Sequence, residues 1–241
     1  QREKQRTEQI LLAILPKDVV DELKTHGRVA PRGHESVTIL FVDFVGFTRF
    51  AASSEPAVVV AELDRHFARF DAIAARYGLD KLKTIGDAYM AAAGLSRENR
   101  THPIDACLAA LALQREIDAL NAEARSAGRP VWPARIGLHT GPVISGVLGA
   151  GKLAFDIWGD AVNVAARMES ASEAGFINLS ETTAREVEPF FVLQDRGRIS
   201  VKNRGRLSMF FLLGLRPELT GLEPGAPNEL FRRRYDERLR W

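Results

Sequence analysis

The sequence predicts an α+β fold: a ferredoxin-like sheet in β–α–β–β–α–β order, helices on one face, and extra C-terminal α/β elements. Three observations carry this. Residues 37–42 are an unbroken apolar, β-branched run, the pattern of a buried strand. Residues 82–85 and 88–93 read as two strands joined through Gly86-Asp87, a turn signal. Two long helical stretches separate the strands: residues 58–77, with Leu63, Phe67, Phe70 and Ile73 on one side, and the alanine-rich residues 103–124.

Further along, residues 134–140 read as a strand ended by Gly141-Pro142. Residues 161–170 read as a helix with Asp160 as its N-cap. Residues 190–193 and 208–213 are late strands. Ahead of the core, residues 1–30 read as a charged helix that turns amphipathic at Ile10, Leu11, Ile14 and Leu15. Pro16 then opens a short second helix that Gly27 ends. This segment either packs on its own domain or pairs with a second chain as a coupling helix. Residues 216–241 carry Pro217, Pro224 and Pro227, as a linker would. An arginine-rich helix follows, with Phe231, Tyr235 and Leu239 on one face, solvated or touching anionic lipid. The expected division is 1–30, 31–215 and 216–241.

Composition narrows the class. The 241 residues are 46% hydrophobic and 27% charged, the balance of a globular protein of one sizeable core. A net charge of +2 gives no argument for nucleic acid. Cys107 is the single cysteine, so no intrachain disulfide forms. No run reaches the ~18 apolar residues of a membrane span. Gln1 in place of Met points to a fragment of a longer chain, with an upstream sensor or membrane domain expected.

Two stretches concentrate the chemistry. Asp43 ends the first apolar strand and precedes Phe44-Val45-Gly46-Phe47-Thr48, a strand–glycine turn–helix layout whose backbone N–H groups can cradle phosphate. Asp87 sits at the hairpin tip. Alone, each aspartate is turn chemistry. On neighbouring strands they can share a cation, and carboxylates without clustered His or Cys favour Mg²⁺ or Mn²⁺. Asn163 and Arg167, i and i+4, share one helix face and can offer a neutral hydrogen bond and a fixed cation to an oxyanion. On most helices such residues are simply solvated. The five histidines show no metal-ligand spacing.

Taken in register, residues 37–48, 81–94, 135–143, 155–168 and 201–205 resemble the catalytic domain of the class III nucleotide cyclases over roughly residues 35–215. Residues 10–24 resemble the helix that often precedes it. Ala161 and Ala166 depart from the family's frequent Thr and Ser. The resemblance implies that Asp43 and Asp87 hold two Mg²⁺ or Mn²⁺ ions. It implies that Lys81 and Asp156 read the adenine of ATP, the register with Gly86-Asp87 favouring Lys81 over Lys83. Asn163 would orient the ribose, Arg167 would stabilise the α-phosphate, and Lys202 would reach the β- and γ-phosphates. The implied reaction is in-line attack of the ribose 3′-hydroxyl on the α-phosphorus, giving 3′,5′-cyclic AMP and pyrophosphate, with Asp43, water or substrate phosphate as the proton acceptor. In the family it resembles, the metal aspartates come from one chain and the base-selecting pair, Asn and Arg from another. The expectation is a head-to-tail homodimer with two shared sites, a cytoplasmic catalytic domain of a multidomain or membrane-anchored protein. The alternatives are GTP cyclisation or an inert nucleotide-binding dimerisation module. No Gly-Gly-Asp-Glu-Phe-like signature favours a cyclic-dinucleotide synthase.

Overall fold

A computed structural model describes residues 6, 11, 15–149, 153–201, 205–223 and 225–240. The charged helix expected over the first residues falls, apart from Arg6, outside them. Helix α1 (Lys17–His26) stops at Gly27, whose φ of 68° lets its N–H return to the Leu23 carbonyl. Val19 and Val20 of α1 pack with Leu15 against Val147 and Phe155 of the core.

The core follows the expected order: β1 (Arg32–Phe44), two helices α2 (Phe47–Ser53) and α3 (Pro56–Arg76), then the hairpin β2 (Asp80–Ile85) and β3 (Ala88–Ala93). The long helix α4 (His102–Ser126) leads into β4 (Ala134–Leu148). There follow β5 (Ala154–Trp158), α5 (Asp160–Ser170), β6 (Ile177–Ser180), α6 (Glu181–Val187), β7 (Phe191–Val201) and β8 (Gly205–Leu215). The sheet runs β2-β3-β1-β4-β6-β8-β7, with β5 paired to β4. Its β2-β3-β1-β4 half is the ferredoxin-like arrangement. Among the described residues only β4 and β6 pair in parallel.

Helices cover both faces rather than one, and the alternation within β1 shows why. Leu40, Val42 and Phe44 point into the larger cluster, with Phe70 of α3 and Ile104, Leu113 and Ile117 of α4. Val37, Ile39 and Phe41 point the other way, against Ala161 and Ala165 of α5. A run with apolar residues on both faces buries both sides of its strand.

Several elements differ from expectation. Asp160 is the first residue of α5, and Gly159 holds the cap position without a side-chain bond. Pro142 does not end β4, which continues to Leu148. The register of β1 shifts between His34 and Val37, opposite Pro142, so the ladder makes no demand on its missing N–H there. The short β5, β6 and α6 were not anticipated.

The C-terminal helix α7 (Glu229–Leu239) docks on the core. Phe231 stacks edge-on with Phe190 at 5.3 Å between ring centres. The Tyr235 hydroxyl donates to Asp105 of α4 at 2.6 Å. Leu239, the third member of the expected apolar face, stays exposed. Burial raises the Asp105 carboxyl above its usual range while the Tyr235 and Thr101 hydroxyls oppose the rise. Tyr235→Phe removes one of those donors and is expected to lower unfolding stability by about 1–3 kcal/mol. Urea denaturation of the full chain measures it, and an unchanged midpoint contradicts the role given to this contact.

Candidate active site

Asp43 and Arg135 face each other in the register of β1 and β4, and Arg135 Nη2 donates to Asp43 Oδ2 at 2.7 Å. Phe41 and Gly137 are the next pair on the same face, the face that α5 covers. There α5 approaches β4 so closely that a Cβ on Gly137 would stand 1.9 Å from the Glu169 backbone nitrogen and 2.4 Å from its Cα. Only glycine allows this packing. It sets Glu169 Oε1 3.0 Å from Arg135 Nε. Burial pushes the Glu169 carboxyl up to about 7, the Arg135 charge opposing and the Asp43 charge adding to the rise.

The hairpin brings Asp87 to Asp43. Asp87 is raised from its ordinary value first by burial and then by the negative charge of Asp43. Two hard carboxylates crowded together, one strained toward protonation by the other, suit a divalent cation that would relieve the repulsion. Among the described residues no cluster of three or more His, Cys, Asp or Glu is present. An ion held by this pair of carboxylates would need water and substrate phosphate to complete its shell.

The lysines separate in a way the sequence did not show. The register of β2 slips between Lys81, opposite Ala91, and Lys83, opposite Met90. Ala91 belongs to the α3/α4 side and Met90 to the α5 side, so this bulge sends two lysines of one strand to opposite faces. Lys81 bonds Asp71 of α3 at 2.7 Å, 5.6 Å from the Tyr89 ring centre. Lys83 instead forms an ion pair with Asp156 of β5. Asp156 is fixed by the Ile157 N–H, which donates to its Oδ1 at 2.9 Å. Lys83, rather than the expected base-reading Lys81, is thus the lysine that lies against Asp156.

The turn after β1 also divides. Gly46 takes φ 81° and precedes α2. Phe44 is buried, its ring 5.0 Å from His66 and 5.2 Å from Trp132, and Phe47 packs 5.4 Å from Trp132. Both side chains belong to the core, which leaves backbone N–H groups in the first turn of α2 as the only part of the proposed cradle. Thr48 is exposed. Asn163, exposed, and Arg167, half-buried, lie on α5, and neither side chain has a hydrogen bond or ion pair among the described residues. Lys202 lies outside the described residues. Sequence reading gave no role to Arg135 or Glu169; the signal was present in the pairing of a strand-end Arg with the strand-end Asp43, but only the register reveals it.

A family model for the adenylate and guanylate cyclase catalytic domain matches residues 29–214. The chain belongs to this family. It is 38% identical over 231 residues to an adenylate cyclase of Mycobacterium tuberculosis (strain ATCC 25618 / H37Rv), covering 92% of this chain and 51% of that protein. The chain thus spans about half the length of that relative. Among solved structures, the guanylate cyclase domain of RhGC from Catenaria anguillulae in complex with GTP superposes with a TM-score of 0.73 at 34% identity, covering 77% of this chain and all of that one. The adenylyl cyclase CyaB from P. aeruginosa superposes with a TM-score of 0.74 at 26% identity, over 79% of this chain and all of that one. Both purine specificities occur among these cyclase relatives, so membership establishes a nucleotide cyclase domain and leaves the base to its own side chains. No helix among the described residues is long and apolar enough to cross a membrane.

The cyclase site hangs on the α5–β4 contact. Gly137→Ala is expected to cost about 1–3 kcal/mol of stability and, by shifting the helix that bears Asn163 and Arg167, roughly 100-fold in activity. Gly33→Ala, where an added Cβ meets nothing within 4 Å, is the control. Equal behaviour of the two variants in melting and turnover contradicts the packing constraint.

Proposed function

We propose that this domain is an adenylyl cyclase, forming 3′,5′-cyclic AMP and pyrophosphate from ATP at a site shared by two copies of the chain. The observation that carries the choice of base is the Lys83–Asp156 ion pair. Adenine offers an acceptor at N1 and a donor at its 6-amino group; guanine offers the reverse. A lysine and a carboxylate that satisfy each other in the free protein are a donor and an acceptor set side by side. They can open to take the complementary edge of adenine, with Asp156 held in place by its own backbone bond.

The other roles follow from placement. Asp43 and Asp87 would hold Mg²⁺ or Mn²⁺, two ions if the site follows the family. When bound, such ions favour the 3′-alkoxide and neutralise the triphosphate. Asn163 orients the ribose, and Arg167 meets charge as it grows on the α-phosphate. Both project from α5 with no partner of their own among the described residues, as groups reserved for a ligand would. Arg135 adds a cation beside Asp43, and the α2 turn offers backbone N–H groups to phosphate oxygens. The role of Lys202 at the β- and γ-phosphates rests on family resemblance alone.

Sharing between copies is supported by exposed apolar side chains near these elements: Ile85 next to the hairpin tip, and Ile144 and Leu148 on the stretch of β4 that pairs with β5. A regulatory or anchoring segment elsewhere in the full-length protein fits the size of the mycobacterial relative.

Turnover with Mn²⁺ is expected to favour ATP over GTP by at least about 100-fold in kcat/KM. Lys83→Ala should lower kcat/KM for ATP by roughly 100-fold, whereas Lys81→Ala, which breaks an exposed pair, should change it less than about threefold. Preference for GTP would overturn the choice of base, and no pyrophosphate release at all would favour an inert module. A second test concerns sharing. Asp43→Ala and Asn163→Ala are each expected to be inactive, while their mixture recovers activity through one intact site per heterodimer; absence of recovery would sink the shared-site arrangement.

A further inference from the structure

Arg135 stands between two carboxylates. Its Nη2 makes an aligned hydrogen bond to Asp43 at 2.7 Å. Its Nε lies 3.0 Å from Glu169 Oε1, yet neither of these two buried atoms has an aligned hydrogen-bond partner. The second contact is close but poorly directed. A small rotation of the guanidinium would improve it at the expense of the first, and the planar fork of an arginine is suited to such sharing. Glu169 cannot retreat. It is buried, Ser170 Oγ donates to its other oxygen at 3.2 Å, and the Gly137 contact pins its backbone to β4.

We propose that Glu169 is a positioning residue for the metal site: it draws Arg135 partly off Asp43, so that a divalent cation can take Asp43 while Arg135 stays beside it. This rests on the reading of Asp43 and Asp87 as metal ligands. A cation arriving at Asp43 must displace the guanidinium, and the two positive charges then repel. An arginine with no second carboxylate would compete fully for Asp43 and, once displaced, would leave for solvent. Glu169 gives it a second anchor within reach. Its fixed backbone keeps that anchor 3.0 Å from the guanidinium Nε.

The test is direct Mn²⁺ binding to the full chain without nucleotide, followed by electron paramagnetic resonance, with thermal melts alongside. Glu169→Gln is expected to weaken Mn²⁺ binding by roughly three- to tenfold, Arg135→Gln to tighten it, and the double variant to behave like Arg135→Gln. Glu169→Asp, too short to reach the guanidinium equally well, should weaken binding in the same direction and serves if the amide variant fails to fold. The proposal is overturned if the Glu169 variants bind Mn²⁺ as the parent does, or if Glu169→Gln weakens binding equally when Arg135 is already gone, since a merely structural role would not depend on Arg135. Loss of the metal-site reading looks different: Asp43→Ala would then bind Mn²⁺ as the parent does.

Discussion

The close approach of α5 to β4 at Gly137 is the constraint on which the site depends. A helix normally stands off a sheet by the width of its side chains. Here one strand position has none, and the backbone at Met168 and Glu169 settles into the gap. Three consequences follow from one missing methyl group. The second layer of helix forms on the face that a ferredoxin-like core would leave open. Asn163 and Arg167 are fixed in height above the sheet by the buried Val164, Ala165 and Met168 on the same helix. Glu169 is delivered to a depth at which a carboxylate must find a cation, and Arg135 is the one it finds.

Charge then accumulates on that face in an ordered way. Asp43, Asp87 and Glu169 supply negative charge within a short span, and Arg135 is the cation bonded among them. Burial raises both Asp87 and Glu169, the charge of Asp43 adding to each, so negative charge on this face is costly in the isolated chain. Such a site is destabilised in its empty form and gains by binding cations, which is the expected electrostatics of a centre that handles a metal-bound triphosphate.

The sequence made much of this legible, and the physical reasons for the rest are specific. Strand periodicity and turn chemistry are local, so β1, the hairpin and the two long helices could be read from residues 37–124 alone. The convergence of Asp43 and Asp87 followed from placing both at one end of adjacent strands. Lys81 was preferred over Lys83 because two residues of one strand ordinarily share a face, and register with the hairpin tip was then the only criterion. A bulge at one position reverses that logic, and nothing in Lys-Leu-Lys announces a bulge. Asp156 could likewise be singled out, while the strand that carries it could not: β5 has only five residues and owes its form to pairing with β4. Phe44 and Phe47 were counted with the phosphate loop because they adjoin Gly46. Their rings instead close an aromatic cluster around Trp132, a contact between residues almost ninety positions apart that no local pattern encodes.

The proposed division of one chain between two sites would give the Arg135–Glu169 pair a wider meaning. In the shared-site arrangement, Asp43 serves one active site while Asn163 and Arg167 of the same chain serve the other. Arg135 touches Asp43, Glu169 touches Arg135, and Glu169 is two residues from Arg167 on one rigid helix. In that proposed arrangement a metal ion at Asp43 would act, through two side chains and less than a turn of helix, on the residues that this chain would lend to the opposite site. Coupling of this kind needs no hinge or domain rotation, only a redistribution of one guanidinium between two carboxylates. Its size is bounded by the difference between those two contacts, and so it should be modest, a bias between sites rather than an all-or-none switch.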